Sequence, residues 1–167
     1  MKINIDWNKG IKLEASYSLK STEDYGLYQV YGTHPVYGNN TLLYIGKAVS
    51  QYFGVRLKQH NKWFDNQDSE NIVVYTGRIG SNNPSDDWHN WDNMIDIAEK
   101  LLIFSHRPAE NSLHINTANN IPIETHIFNW GNRGLLLPEV SAFRYLANDE
   151  IYFSTYETLT EYSGEVR

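Results

Sequence analysis

Two short glycine-bounded β-prone runs, followed at once by a change to helical period, constrain this chain more than any other feature. Gly26–Gly32 reads GLYQVYG and Thr41–Gly46 reads TLLYIG. Such runs of β-branched and aromatic residues, punctuated by glycine, mark strands. Between them THPVYGNN carries Pro35 and Gly38-Asn39-Asn40, so the pair is expected to be a hairpin with an enlarged loop over 33–40. From Ser50, a candidate N-cap, Tyr52 or Phe53, Val55 or Arg56, and then Gln59 and His60 follow helical spacing, and the helix is expected to end near Lys62-Trp63. Arg56 and His60 then lie one turn apart on its polar face.

Downstream, Ile72–Ile79 is a third strand candidate and SNNPSDD a loop. The strongest helix spans Trp88 to about Phe104, with Trp91, Ile95, Ala98 and Leu102 on one stripe, widened by Met94 and Leu101. Glu99 falls at the stripe's edge, with Asp92 and Asp96 further round on the same side. Pro108 stops the helix, because it disfavours helix at Arg107 and has no backbone N–H to donate. IPIETHIFNW, a GNRG turn at 131–134 and LLLPEV read as a hairpin appended to this unit. The last twenty residues give no clear assignment.

Length and charge narrow the function. At 167 residues the chain suits one domain. It is expected to divide into an N-terminal extension 1–25, a core 26–111 and a C-terminal extension 112–167. With no Cys, disulfides, thiolate metal sites and a cysteine nucleophile are excluded. No stretch reaches the ~20 apolar residues of a membrane span, and none at the N-terminus resembles a signal peptide; a cytoplasmic protein is expected. The formal charge is −6, which argues against coating nucleic acid by bulk charge. Yet no Asp or Glu occurs from Tyr25 to Phe64, where Lys47, Arg56, Lys58 and Lys62 make a local cationic segment. The excess acid lies in 65–99 and after Glu139, and would limit non-specific affinity without abolishing a local phosphate grip.

Tyr28, Tyr44, Lys47, Arg56, His60, Glu99 and Asn111 form a set suited to phosphodiester cleavage with one divalent metal. A carboxylate holds a hard cation through oxygen. A guanidinium stabilises charge on phosphorus oxygens, and phenol, imidazole or amine can take a proton from water. Singly, each residue has a plainer reading: packed aromatics, a solvated basic face, a solvated acidic ridge, a surface histidine.

Together and in order, GLY at 26–28, YIGKA at 44–48, GVRLKQH at 54–60, Glu99 and Asn111 resemble the GIY-YIG nuclease superfamily. The resemblance covers residues 26–111 and implies an α+β fold, a GIY-YIG-like three-stranded antiparallel sheet flanked by helices. It also implies a Mg²⁺-dependent (or Mn²⁺-dependent) endonuclease acting on DNA. Tyr28 and Tyr44 would be the motif tyrosines, one of them orienting or deprotonating water. Lys47 would lower that tyrosine's pKa and hold phosphate. Arg56 would bind the scissile phosphate, and His60 would be an auxiliary base or hydrogen-bond donor. Glu99 would be the sole protein ligand of Mg²⁺, and Asn111 would steady the site. GLY replaces GIY, and the sixteen-residue step from Tyr28 to Tyr44 exceeds that of compact members. A non-catalytic module binding nucleic acid or a protein partner is the competing reading. The loop 33–40 and the Asn-rich stretch 111–133 are candidate substrate contacts.

Overall fold

The computed structural model describes residues 1–22, 25–60, 71–80 and 88–146. The expected helix end at Lys62-Trp63, the SNNPSDD loop, the acids of 65–70 and 86–87, and the tail from 147 lie outside those residues.

Seven strands make one mixed sheet. In chain order they are β1 (Lys2–Trp7), β2 (Ile11–Lys12), β3 (Gly26–His34), β4 (Gly38–Ala48), β5 (Val73–Ile79), β6 (His126–Gly131) and β7 (Glu139–Ser141). The helices are α1 (Leu13–Ser16), α2 (Phe53–Gln59), α3 (Trp88–His106) and α4 (Ala142–Leu146). The lateral order is β4-β3-β5-β1-β6-β7, with β2 also paired to β5. β1 runs antiparallel to β5 and parallel to β6, from Lys2 opposite His126 to Trp7 opposite Gly131.

This overturns the expected three-stranded antiparallel sheet. β4, β3 and β5 do pair antiparallel, but β5 is not an edge: β1 continues the sheet beyond it. The expected C-terminal hairpin is therefore no appendage, because β6 is joined to β1 and β7 to β6. Both presumed extensions supply strands of the one sheet. The overlooked cue was the alternation Ile3, Ile5, Trp7, all buried, against Lys2, Asn4 and Asp6.

The β3–β4 connection is also corrected. Both strands run further than expected, leaving a short turn at 35–37. Register shifts between Val30 and Tyr31 and between Gly32 and His34 absorb the extra residues. The long Tyr28–Tyr44 spacing thus lengthens strands rather than a loop. Ser50 does not cap α2: the N-cap is Tyr52, with no side-chain bond.

Both sheet faces are covered. On one, Ile3, Ile5, Trp7, Leu27 and Ile45 pack against Ile95, Ala98, Leu101 and Leu102 of α3. On the other, Tyr28, Val30, Ala48 and Val74 pack against Phe53 and Leu57 of α2 and Leu13 of α1. β3 is buried from Gly26 to Gly32, which is why its sequence is a near-continuous apolar and aromatic run rather than an alternation. Trp7 lies across Gly77 of β5, where a Cβ would stand 2.6 Å from the indole.

Candidate active site

The sequence-selected residues gather around β4, the outer strand of the sheet, in two sets on its two faces. Tyr28 and Tyr44 belong to the α2 face. In register Tyr28 stands opposite Gly46, and its ring fills the space above it: a Cβ on Gly46 would lie 2.6 Å from Tyr28 Oη. The glycine of YIG is thus a steric requirement of the tyrosine of GLY. So placed, Tyr28 Oη lies 2.9 Å from His60 Nε2. The His60 ring centroid is 5.4 Å from that of Tyr44, and the two tyrosine centroids are 6.0 Å apart. His60 is the residue on which α2 ends, so the helix delivers the imidazole and, one turn earlier, Arg56.

Electrostatics set the protonation states. Burial raises the Tyr28 phenol well above its usual range, reinforced by Tyr44, while Arg56 opposes the shift. Burial, then the Glu99 charge, raises Tyr44, with Arg56 and Lys47 opposing. Both phenols are therefore donors at neutral pH. Lys47 does lower Tyr44, as expected, but desolvation outweighs it and the phenol stays above its usual range. Burial and the neighbouring Arg56 charge push the His60 imidazole down to about 4. Neutral imidazole, not phenolate, is the base present at pH 7.

The second set lies on the α3 face. Lys47 Nζ donates to Glu99 Oε2 at 2.9 Å and also to Asp96 Oδ1. Lys100 binds the other Asp96 oxygen at 2.5 Å. Burial would lower the Lys47 ammonium, but Asp96 and Glu99 outweigh it and hold it above its ordinary value. Burial likewise opposes ionisation of Asp96, and the two lysines overcome it to hold the carboxyl below its usual range. The Glu99 side chain keeps only 12% of its surface exposed, with the Lys47 ammonium against it. Glu99 does not stand alone, then; Asp96 shares its ammonium. Asp96 is the residue sequence reasoning passed over, although it lies one turn before Glu99 on the same helix. The two sets meet at the strand edge closely enough for the Glu99 charge to raise both phenols.

Asn111 is buried and faces the strand rather than a cleft. Ile45 N–H donates to its Oδ1 and its Nδ2 donates to Ile45 O, both at 2.9 Å. Ala109 and Glu110 N–H groups bind Leu42 O and Leu43 O. The segment after α3 thus satisfies the open edge of β4, beside Tyr44. His106 braces the same region: its Nε2 accepts Leu137 N–H, and Nδ1 lies 2.9 Å from Leu102 O.

Among the described residues no group of three or more His, Asp or Glu is placed to hold a metal. Two carboxylates converging on one ammonium are nevertheless the hard oxygen donors that Mg²⁺ takes, since it binds through one or two carboxylates and completes its shell with water and phosphate. No helix among the described residues is long and apolar enough to cross a membrane. No protein-family model, curated protein or solved structure matches the chain.

Proposed function

We propose that the protein is a Mg²⁺-dependent endonuclease that hydrolyses DNA phosphodiesters by a one-metal mechanism, in keeping with the resemblance of its motif residues to the GIY-YIG nucleases. The observation that carries this reading is the neutral His60 bonded to Tyr28, with Tyr44 and Arg56 beside it and the Glu99 carboxylate around the strand edge. Arg56 supplies positive charge to the scissile phosphate. His60 accepts a proton from the attacking water, directly or through Tyr28, and Tyr44 orients that water through its hydroxyl. Glu99, with Asp96 next to it, would hold Mg²⁺, whose charge stabilises the leaving oxygen. Lys47, paired with Asp96 and Glu99 in this structure, would be available to the phosphate if a cation took its place between those carboxylates.

Purified protein is expected to nick or cut DNA with Mg²⁺ or Mn²⁺. Glu99→Ala and Arg56→Ala should each lower the rate by about a hundredfold or more while circular dichroism shows both folded. Cleavage by Glu99→Ala at the wild-type rate would refute the reading. A second reading, binding of nucleic acid or a protein partner without hydrolysis, draws support from Lys47, which already neutralises both carboxylates. It predicts association in EDTA and intact DNA with metal.

A further inference from the structure

The nuclease reading leaves one cavity next to the site without a role. A pocket of about 460 Å³ is lined by Thr22, Tyr25, Ser50, Gln51 and Tyr52, a size typical of small-molecule sites. It opens where β3 begins and β4 ends: Tyr25 immediately precedes Gly26, and Ser50 lies three residues beyond Lys47. Among its described lining residues Tyr25 and Tyr52 are aromatic, and Thr22, Ser50 and Gln51 add aliphatic hydroxyls and an amide. Tyr25 is braced edge-on by Trp91 of α3, centroid to centroid 4.6 Å. Tyr52 remains exposed, a ring open to stacking.

A hydrogen-bond chain links this pocket to the phosphate-binding arginine. Arg56 Nη1 donates to Gln59 Oε1 at 3.2 Å, and Gln59 Nε2 donates to Gln51 Oε1 at 3.0 Å. Gln51, whose carbonyl accepts that bond, lines the pocket. Among the described lining residues, flat aromatic faces plus an amide match a planar ring bearing hydrogen-bonding edges. Placed one short polar chain from the residue proposed to hold a phosphate, that ring is a base of the same strand.

We propose that this pocket receives an unstacked nucleobase flanking the phosphate bound by Arg56, stacked on Tyr52 and contacted by Gln51. The inference rests on the nuclease reading for its choice of strand and phosphate. It makes the pocket a determinant of substrate form, since single-stranded, mismatched or branched DNA yields a base at lower cost than intact duplex.

The test is binding in EDTA of a fluorescein-labelled single-stranded oligonucleotide of mixed sequence. Tyr52→Ala is expected to weaken binding by about tenfold, whereas Tyr52→Phe, which keeps the stacking face, should stay within about twofold of wild type. Abasic residues stepped along the strand should reveal one position whose loss weakens wild-type binding and leaves Tyr52→Ala unchanged. Equal binding by Tyr52→Ala and wild type, or no binding by wild type, overturns the proposal. Cleavage with Mg²⁺ reports separately on the nuclease reading. Tyr52-dependent binding of DNA that is never cut would sink that reading and keep the pocket; cleavage with Tyr52-independent binding would do the reverse.

Discussion

Tyr28 and His60 are set 32 positions apart in sequence and 2.9 Å apart in space, and the imidazole's low affinity for protons follows from that placement. Burial removes water that would solvate imidazolium, and Arg56 adds a like charge. NMR titration of His60 is expected to show a midpoint near 4, and Arg56→Gln should move it part of the way back toward the ordinary histidine value. The sign for stability follows from linkage. The folded-state pKa lies below the unfolded one, so between about 6.5 and 4 the unfolded chain binds more protons. Stability should fall as pH drops through that window, and His106, also lowered chiefly by burial, acts in the same direction. His60→Gln should flatten the pH dependence of the denaturation midpoint there; an unchanged slope would disprove the assignment.

At the scale of elements, the edge of β4 carries two devices with separable consequences. Asn111 closes the Ile45 N–H and C=O pair, so Asn111→Ala should cost about 1–3 kcal/mol through unsatisfied backbone groups. Asn111→Asp should do no better, because a carboxylate cannot donate to Ile45 O. Urea denaturation measures both. Lys47 is the internal cation for Asp96 and Glu99, so Lys47→Met leaves two carboxylates facing each other. That variant should melt lower than wild type without metal and gain more from added Mg²⁺ in thermal denaturation; an equal response in both proteins would argue against carboxylate-bound metal. These devices differ in how far the sequence revealed them. The order of Tyr28, Tyr44, Arg56, His60 and Glu99 was legible, because hairpin and helix patterns place such residues locally. Asp96 was not, because an acid one turn from Glu99 reads as solvated ridge until Lys47 is known to reach it. The α2 cap was misread for a similar reason: a serine with φ +61 looks in sequence like any other N-cap.

For the whole molecule, the lesson concerns long-range pairing. All the candidate site residues lie in 26–111, which reads as a self-contained core, yet the sheet inserts β1 between β5 and β6. Periodicity marks a strand but not its partner, and a parallel pair joining residues 2–7 to 126–131 has no local turn to announce it. Its weight is physical. Ile3, Ile5 and Trp7 are each at most 1% exposed and belong to the core under α3. Trp7 Nε1 also donates to Asn129 Oδ1 at 2.9 Å, tying β1 to β6 by side chains as well as by backbone. Removing β1 strips the β5 edge of its partner and takes Ile3, Ile5 and Trp7 out of the core cluster shared with Leu101 and Leu102 of the helix that carries Glu99. A fragment of residues 26–111 is therefore expected to lack a cooperative thermal transition and dispersed amide resonances. In the full chain, Trp7→Ala should cost about 3–5 kcal/mol although it lies on β1, outside the segment that carries the candidate site. A fragment that folds cooperatively, with His60 still titrating near 4, would show that the site needs only its own three strands, and that the rest of the sheet serves some other purpose.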